Sequence, residues 1–138
     1  MYTYMTTLSP AFVASSVRFE RWYDSKDADT QELIDEISAR TYFIIDEAEY
    51  DAFINELKDE GITTAEQFED RFRGEWEGVG DHITSQFSED FMDEVHTTQD
   101  LPEIYRYAID FQLVWYQSLR HDFYDMEFKG NTYFFYRY

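Results

Sequence analysis

The sequence predicts an α+β fold, with short strands at both ends (N-terminal strands and a C-terminal hairpin) and about five acidic amphipathic helices between them. Three observations carry this expectation. Charge is partitioned: residues 1–19 hold one arginine and no acid, residues 20–110 hold 27 acids against 7 bases, and residues 111–138 hold three of each. Apolar residues in the middle recur at helical spacing, whereas the ends are rich in Tyr, Phe, Thr and Val. Finally, 43% of residues are hydrophobic and 20% aromatic. That is enough apolar surface to offset ordering entropy despite a net charge of −19.

Tyr2–Leu8 and Phe12–Phe19, around Pro10, read as strands. Asp29 or Thr30 can cap a helix to about Ala39 with Leu33, Ile34 and Ile37 inward. Tyr42-Phe43-Ile44-Ile45 reads as a buried strand. Asp46 then caps a helix from Glu47 to about Glu60, with Tyr50, Phe53, Ile54 and Leu57 on one stripe and Gly61 beyond its end. Thr63-Thr64-Ala65-Glu66 has the form of a capping box, starting a helix with Ala65, Phe68 and Phe72 inward that Gly74 stops.

Gly74–Gly80 reads as a loop. A helix over about Asp81–His96 carries Ile83, Phe87, Phe91 and Val95 four residues apart. Pro102 opens a fifth helix to roughly Leu119, with room for a kink. Phe123–Phe128 and Thr132–Tyr138 flank Gly130-Asn131, a sequence suited to a II′ hairpin turn. No Pro/Gly/Ser linker divides the chain, so residues 1–62 and 63–138 form two lobes or one continuous domain.

Several chemistries are disfavoured. Without cysteine there is no disulfide, thiolate nucleophile or cysteine zinc site. The Gly74–Gly80 loop lacks Gly-Lys-Ser/Thr, and Glu75 and Glu77 would repel phosphate. Calcium loops starting at Asp24, Asp27 or Asp46 miss the required oxygen and glycine positions. Asp93-x-x-His96 is one half of a di-iron motif without its other copy, so His82, His96 and His121 read as surface or helix-terminal residues. No Gly-x-Ser-x-Gly elbow occurs. Neither an enzyme nor a cofactor or metal site is expected. No basic groove exists to hold nucleic acid directly, and no apolar run approaches the ~20 residues of a membrane span. Met1–Ser16 lacks a basic n-region, so a cytoplasmic location is expected. The tail Tyr133–Tyr138 reads as core plus an edge strand, which left bare can also form a homodimer seam.

The acidic faces remain. The second helix presents Asp35 and Glu36. The third offers Glu47, Glu49, Asp51, Glu56, Asp59 and Glu60, and the next Glu66, Glu69 and Asp70. Glu75 and Glu77 follow in the loop, and Glu89, Asp90, Asp93 and Glu94 on the Asp81–His96 helix. Solubility alone requires far less charge. The net −20 of residues 20–110 equals the charge of roughly 34 Å of duplex DNA. These carboxylates are the expected partner-binding surface, offered to a protein built to hold nucleic acid.

Scattered motifs give this reading a family. Phe68-Glu69-Asp70-Arg71-Phe72-Arg73-Gly74-Glu75-Trp76, followed by an acidic helix, resembles the aromatic-x-Gly-Glu-Trp/Tyr segment of the ArdA antirestriction proteins. Leu101-Pro102 and Ala108-Ile109-Asp110-Phe111 resemble that family's Pro followed by Tyr-Ile-Asp-Tyr, and the chain closes on a similar aromatic strand. Arg21-Trp22-Tyr23-Asp24 and Phe43-Ile44-Ile45-Asp46 with Phe53 resemble its N-terminal motifs. The resemblance covers roughly residues 18–138, discontinuously. Gln117-Ser118-Leu119 departs from the family's Arg-Asp-Leu, and the chain is shorter in its middle.

The resemblance implies a DNA mimic of phages and mobile elements, used in evading host defence. Its carboxylates would occupy the DNA groove of a type I restriction-modification enzyme, and family members tend to be dimers. An alternative is an acidic phage or plasmid regulator that grips a basic face of a host protein such as RNA polymerase. Halophilic adaptation fits the three lysines but not the uneven charge.

Overall fold

Helix starts and stops in this chain are written by aspartates and glycines, and the computed structural model, which describes residues 10–95 and 101–137 and side chains from Ser16 onward, shows them in use. Helix α1 spans Pro10–Asp24 and α2 spans Ala28–Arg40, the latter capped by Asp27, whose carboxylate accepts from Thr30 N at 2.7 Å. This hydrogen bond holds the Asp27 carboxyl below its usual range, with the Thr30 hydroxyl assisting. Helix α3, Glu47–Asp59, begins with a full capping box: Glu49 N donates to Asp46 at 2.8 Å, and the Glu49 carboxylate accepts from Asp46 N at 3.3 Å. Gly61 beyond its end takes φ +82°, where a side chain would be strained. Replacing Asp46 by alanine is expected to cost about 1 kcal/mol in urea unfolding, with asparagine retaining most of that.

Helix α4, Ala65–Arg71, starts one residue later than the sequence signal implies. The box pairs Thr64 with Gln67: Gln67 N donates to Thr64 Oγ1 at 3.1 Å, and Gln67 Oε1 accepts from Thr64 N at 3.3 Å and from Thr63 N at 2.7 Å. The chain then passes straight into strand β1, Phe72–Glu77. Helix α5 covers Asp81–Glu94, α6 is one turn at Glu103–Arg106, and α7 runs Phe111–Gln117 before a 3₁₀ turn at Leu119–His121. Strands β2, Phe123–Phe128, and β3, Asn131–Tyr136, close the described chain.

The expectation of strands at both ends is overturned. The described chain is mostly helical, and its antiparallel sheet, ordered β1-β3-β2, lies wholly in the C-terminal part. Phe12–Phe19 belongs to α1, whereas Tyr2–Leu8 falls outside the described residues. Valine and phenylalanine favour strands only where a pleated neighbour receives them. Here Pro10 sits at the first helical position, and Phe19 and Trp22 pack on Tyr50, with ring centroids 5.9 and 5.7 Å away. Tyr42–Ile45 is also not a strand. No described strand pairs with it, and Tyr42 and Ile45 are 80% and 71% exposed, although Ile44 is buried.

Three further readings are corrected by the sheet and its helices. Most of the expected Gly74–Gly80 loop is β1, with a bulge between Phe72 and Gly74 that conceals its alternation. The long fifth helix is broken before Asp110, whose carboxylate accepts from Leu113 N at 3.1 Å and starts α7 afresh. The tail is the central strand of the sheet rather than an edge. The hairpin stands, but its turn is Lys129-Gly130, both with positive φ (53° and 81°), as a I′ turn requires.

The chain forms two compact units, residues 1–70 and 71–138. In the first, Leu33, Ile34 and Ile37 of α2 and Tyr50, Phe53, Ile54 and Leu57 of α3 are buried, as their spacing requires. In the second, Phe134 on β3 is the hub of a cluster with Ile83, Phe87, Trp115, Leu119 and Phe123. Tyr133 and Phe135, on the opposite face of β3, are also fully buried. Val95 is 47% exposed. Four-residue steps drift about 40° each around a helix of 3.6 residues per turn, so a stripe at that spacing leaves the core after two or three of them.

Candidate functional site

Seventeen carboxylates form the expected partner surface, and their local environments divide them. Cations hold five: Arg40 pairs with Glu36, Arg18 with Glu47 at 3.4 Å, Lys26 with Asp51 at 3.0 Å, Arg106 with Asp93 at 2.8 Å and Arg73 with Glu94 at 2.5 Å. Asp51 also accepts from the Trp22 indole at 3.1 Å. Glu49 is spent on the α3 cap. These positions are structural first.

Neutral donors hold three more. The Tyr23 hydroxyl donates to Asp35 at 2.9 Å, the Tyr133 hydroxyl to Glu75 at 2.8 Å and the Gln86 amide to Asp90 at 3.2 Å. Tyr116 treats Asp81 likewise at 3.2 Å. A phenol fixes a carboxylate without cancelling its charge. The sequence reading missed these tyrosines, because their partners lie 12 to 58 residues away with no local signal.

Each such bond favours the protonated phenol. The Asp35 hydrogen bond raises the Tyr23 pKa above its usual value, and the Asp81 hydrogen bond raises that of Tyr116. Since the folded-state value exceeds the unfolded one, the contribution to stability is complete below pH ~10 and disappears as pH rises through the folded-state value. In a 295 nm titration Tyr23 and Tyr116 should ionise above the usual range of a phenol. Tyr23→Phe should remove one late step, and an unchanged curve would contradict the assignment.

The remaining carboxylates differ in exposure. Glu89 is half-buried, lining a cavity of about 620 Å³ with Glu103, Arg106 and Phe111. Glu56, Asp59, Glu60, Glu66, Glu69, Asp70 and Glu77 are exposed. On α3 and its C-cap, Glu56 stands three and four residues before Asp59 and Glu60; on α4, Glu66 stands likewise before Glu69 and Asp70. Like charges at those spacings repel by about 0.2–0.5 kcal/mol per pair. Asp59 and Glu60 also occupy the C-terminal end of α3, where the helix dipole favours cations.

Three arginines of residues 71–138 engage rings and backbone carbonyls. Arg71 and Arg137 lie over the Tyr124 ring, each 5.6 Å from its centroid, and donate through Nε to backbone carbonyls. Arg120 lies over Tyr116 and donates to its carbonyl at 2.6 Å. By sequence, residues 1–70 hold 17 acids against 5 bases and residues 71–138 hold 13 against 6.

Among the described residues, no three His, Asp or Glu side chains are grouped to hold a metal, and no helix is long and apolar enough to cross a membrane. Within the Asp93-x-x-His96 half-motif, Asp93 is bound by Arg106 and His96 lies outside the described residues. Comparison with protein-family models, curated proteins and solved structures finds no match to this chain.

Proposed function

We propose that this protein is a DNA mimic, an inhibitor that offers fixed carboxylates in place of phosphates to a DNA-binding protein. One observation carries the reading: the α3 C-terminus and α4 concentrate exposed acids at mutually repelling spacings, with Glu66 alone favoured by its place in the first turn of α4. Glu56, Asp59, Glu66 and Glu69 are exposed, set at repelling spacings, and in the case of Asp59 opposed to the helix dipole. A face that costs stability and remains charged fits a surface selected for a cationic partner. The carboxylates steered by Tyr23, Tyr116 and Tyr133 extend the same logic, since each is held in place by the hydroxyl of a phenol.

The resemblance to the ArdA proteins supports a type I restriction-modification enzyme as the target, in the cytoplasm of a host cell. Arginines and lysines that normally meet phosphates would meet this surface, with fast, salt-sensitive association. The test is competition. A labelled duplex bound to a purified type I complex is titrated with the protein at rising salt. Displacement that weakens steadily with salt is expected. A ternary assembly holding both duplex and protein rejects the reading.

A further inference from the structure

The end of α5, α6 and α7 carry a second surface of different chemistry. Ile104 and Tyr105 of α6 and the adjoining Tyr107 are 74%, 62% and 81% exposed, and Leu113 of α7 is 48% exposed. Met92, Ala108, Ile109, Leu113 and Val114 line a groove of about 590 Å³. Ile109 also borders the 620 Å³ cavity that carries Glu89 and Glu103. Apolar surface gathered in this way, with a polar rim, marks an interaction site.

The rim identifies the occupant. Asp110 lines the groove, and Glu89 and Glu103 line the cavity that adjoins it at Ile109, with Arg106 the one cation among the described lining residues of the two. That arginine is bound by Asp93 at 2.8 Å. A second copy meeting the groove through a twofold contact would set these like charges against each other. The walls are α5, α7 and the turn that precedes α7, with no strand among the lining residues, so an added strand has nothing to pair with, whereas a helix can seat side chains at i, i+3/i+4 and i+7. We propose that this groove binds an amphipathic helix of a partner protein, its apolar face against Ile109 and Leu113 and its flanking Lys or Arg against the acidic rim. The proposal is independent of DNA mimicry, since apolar contact persists when salt screens the charges.

The test uses the full chain and a labelled peptide of about 18 residues, with Leu at i, i+3, i+4 and i+7 and Lys elsewhere. A scrambled peptide of the same composition is the control. At about 0.5 M salt, where screening acts within roughly 4 Å, the amphipathic peptide should stay bound and the scrambled one should not. Ile104→Ser with Leu113→Ser, both at exposed positions, should weaken binding about tenfold while leaving the circular dichroism spectrum unchanged. The proposal is overturned if both peptides survive high salt equally, if the amphipathic one is lost there, or if the double variant binds as tightly as the parent. It is also overturned if sedimentation shows a dimer that the double variant dissolves, because the groove would then belong to a second copy.

Discussion

Phe134→Ala should destabilise residues 71–138 by about 3–5 kcal/mol. Phe134 is fully buried on the central strand. Its ring stacks on Phe87 at 4.0 Å and meets Trp115 at 5.6 Å and Trp76 at 6.5 Å edge-on. Removing it deletes the element that the sheet and helices α5 and α7 share, and the surrounding backbone cannot collapse into the gap. Since a domain's total stability is about 5–15 kcal/mol, much of the native population would be lost. Urea unfolding followed by tryptophan fluorescence measures the change, with Trp76 and Trp115 reporting directly on the cluster. Phe134→Leu should recover a large part of it. A loss below about 1 kcal/mol would mean that the stack is not what closes this core.

The second large effect has opposite signs in two assays. Neutralising Glu56, Asp59, Glu66 and Glu69 together (to Gln or Asn) should stabilise the fold slightly, by at most about 1 kcal/mol, because relief of repulsion and of the dipole conflict at Asp59 outweighs the favourable first-turn charge lost at Glu66. The same variant should compete with duplex DNA on the order of a hundredfold less well, since four exposed ion pairs contribute roughly 0.2–1 kcal/mol each. Neutralising Glu36, Glu47 and Asp51 is the contrast. Those acids hold Arg40, Arg18 and Lys26, so stability should fall. If the first variant gains stability and competes undiminished, α3 and α4 are not the mimic surface.

Local signals were legible, and long-range ones were not. The α2 and α3 stripes and the capping aspartate Asp46 could be read because their partners lie within a helical turn or two. The acidic faces could be placed on helices for the same reason. Strand assignments failed where they depended on a neighbour. Tyr42–Ile45 has strand composition without a pairing strand, while β1 has glycine and alternating charge yet pairs with β3 from Phe72↔Phe135 to Glu77↔Asn131. Within the candidate surface, composition counted the carboxylates but could not tell those tied to Arg18, Lys26 or Arg106 from those left exposed. A capping aspartate inside the fifth helix, Asp110, was a readable signal that the apolar run around it concealed.

Putting β3 in the middle of the sheet has a consequence for synthesis. β1 and β2 each bond to β3 and not to one another, so neither has a partner until Asn131–Tyr136 has left the ribosome. Some 50 residues after β1 is made, its ladder is still open, a high-contact-order arrangement that delays closure to the final step. A stop codon or proteolytic cut just before Asn131 would therefore not trim the sheet by a third. It would abolish both ladders at once, leaving Phe87, Trp115 and Phe123 without the strand they pack against.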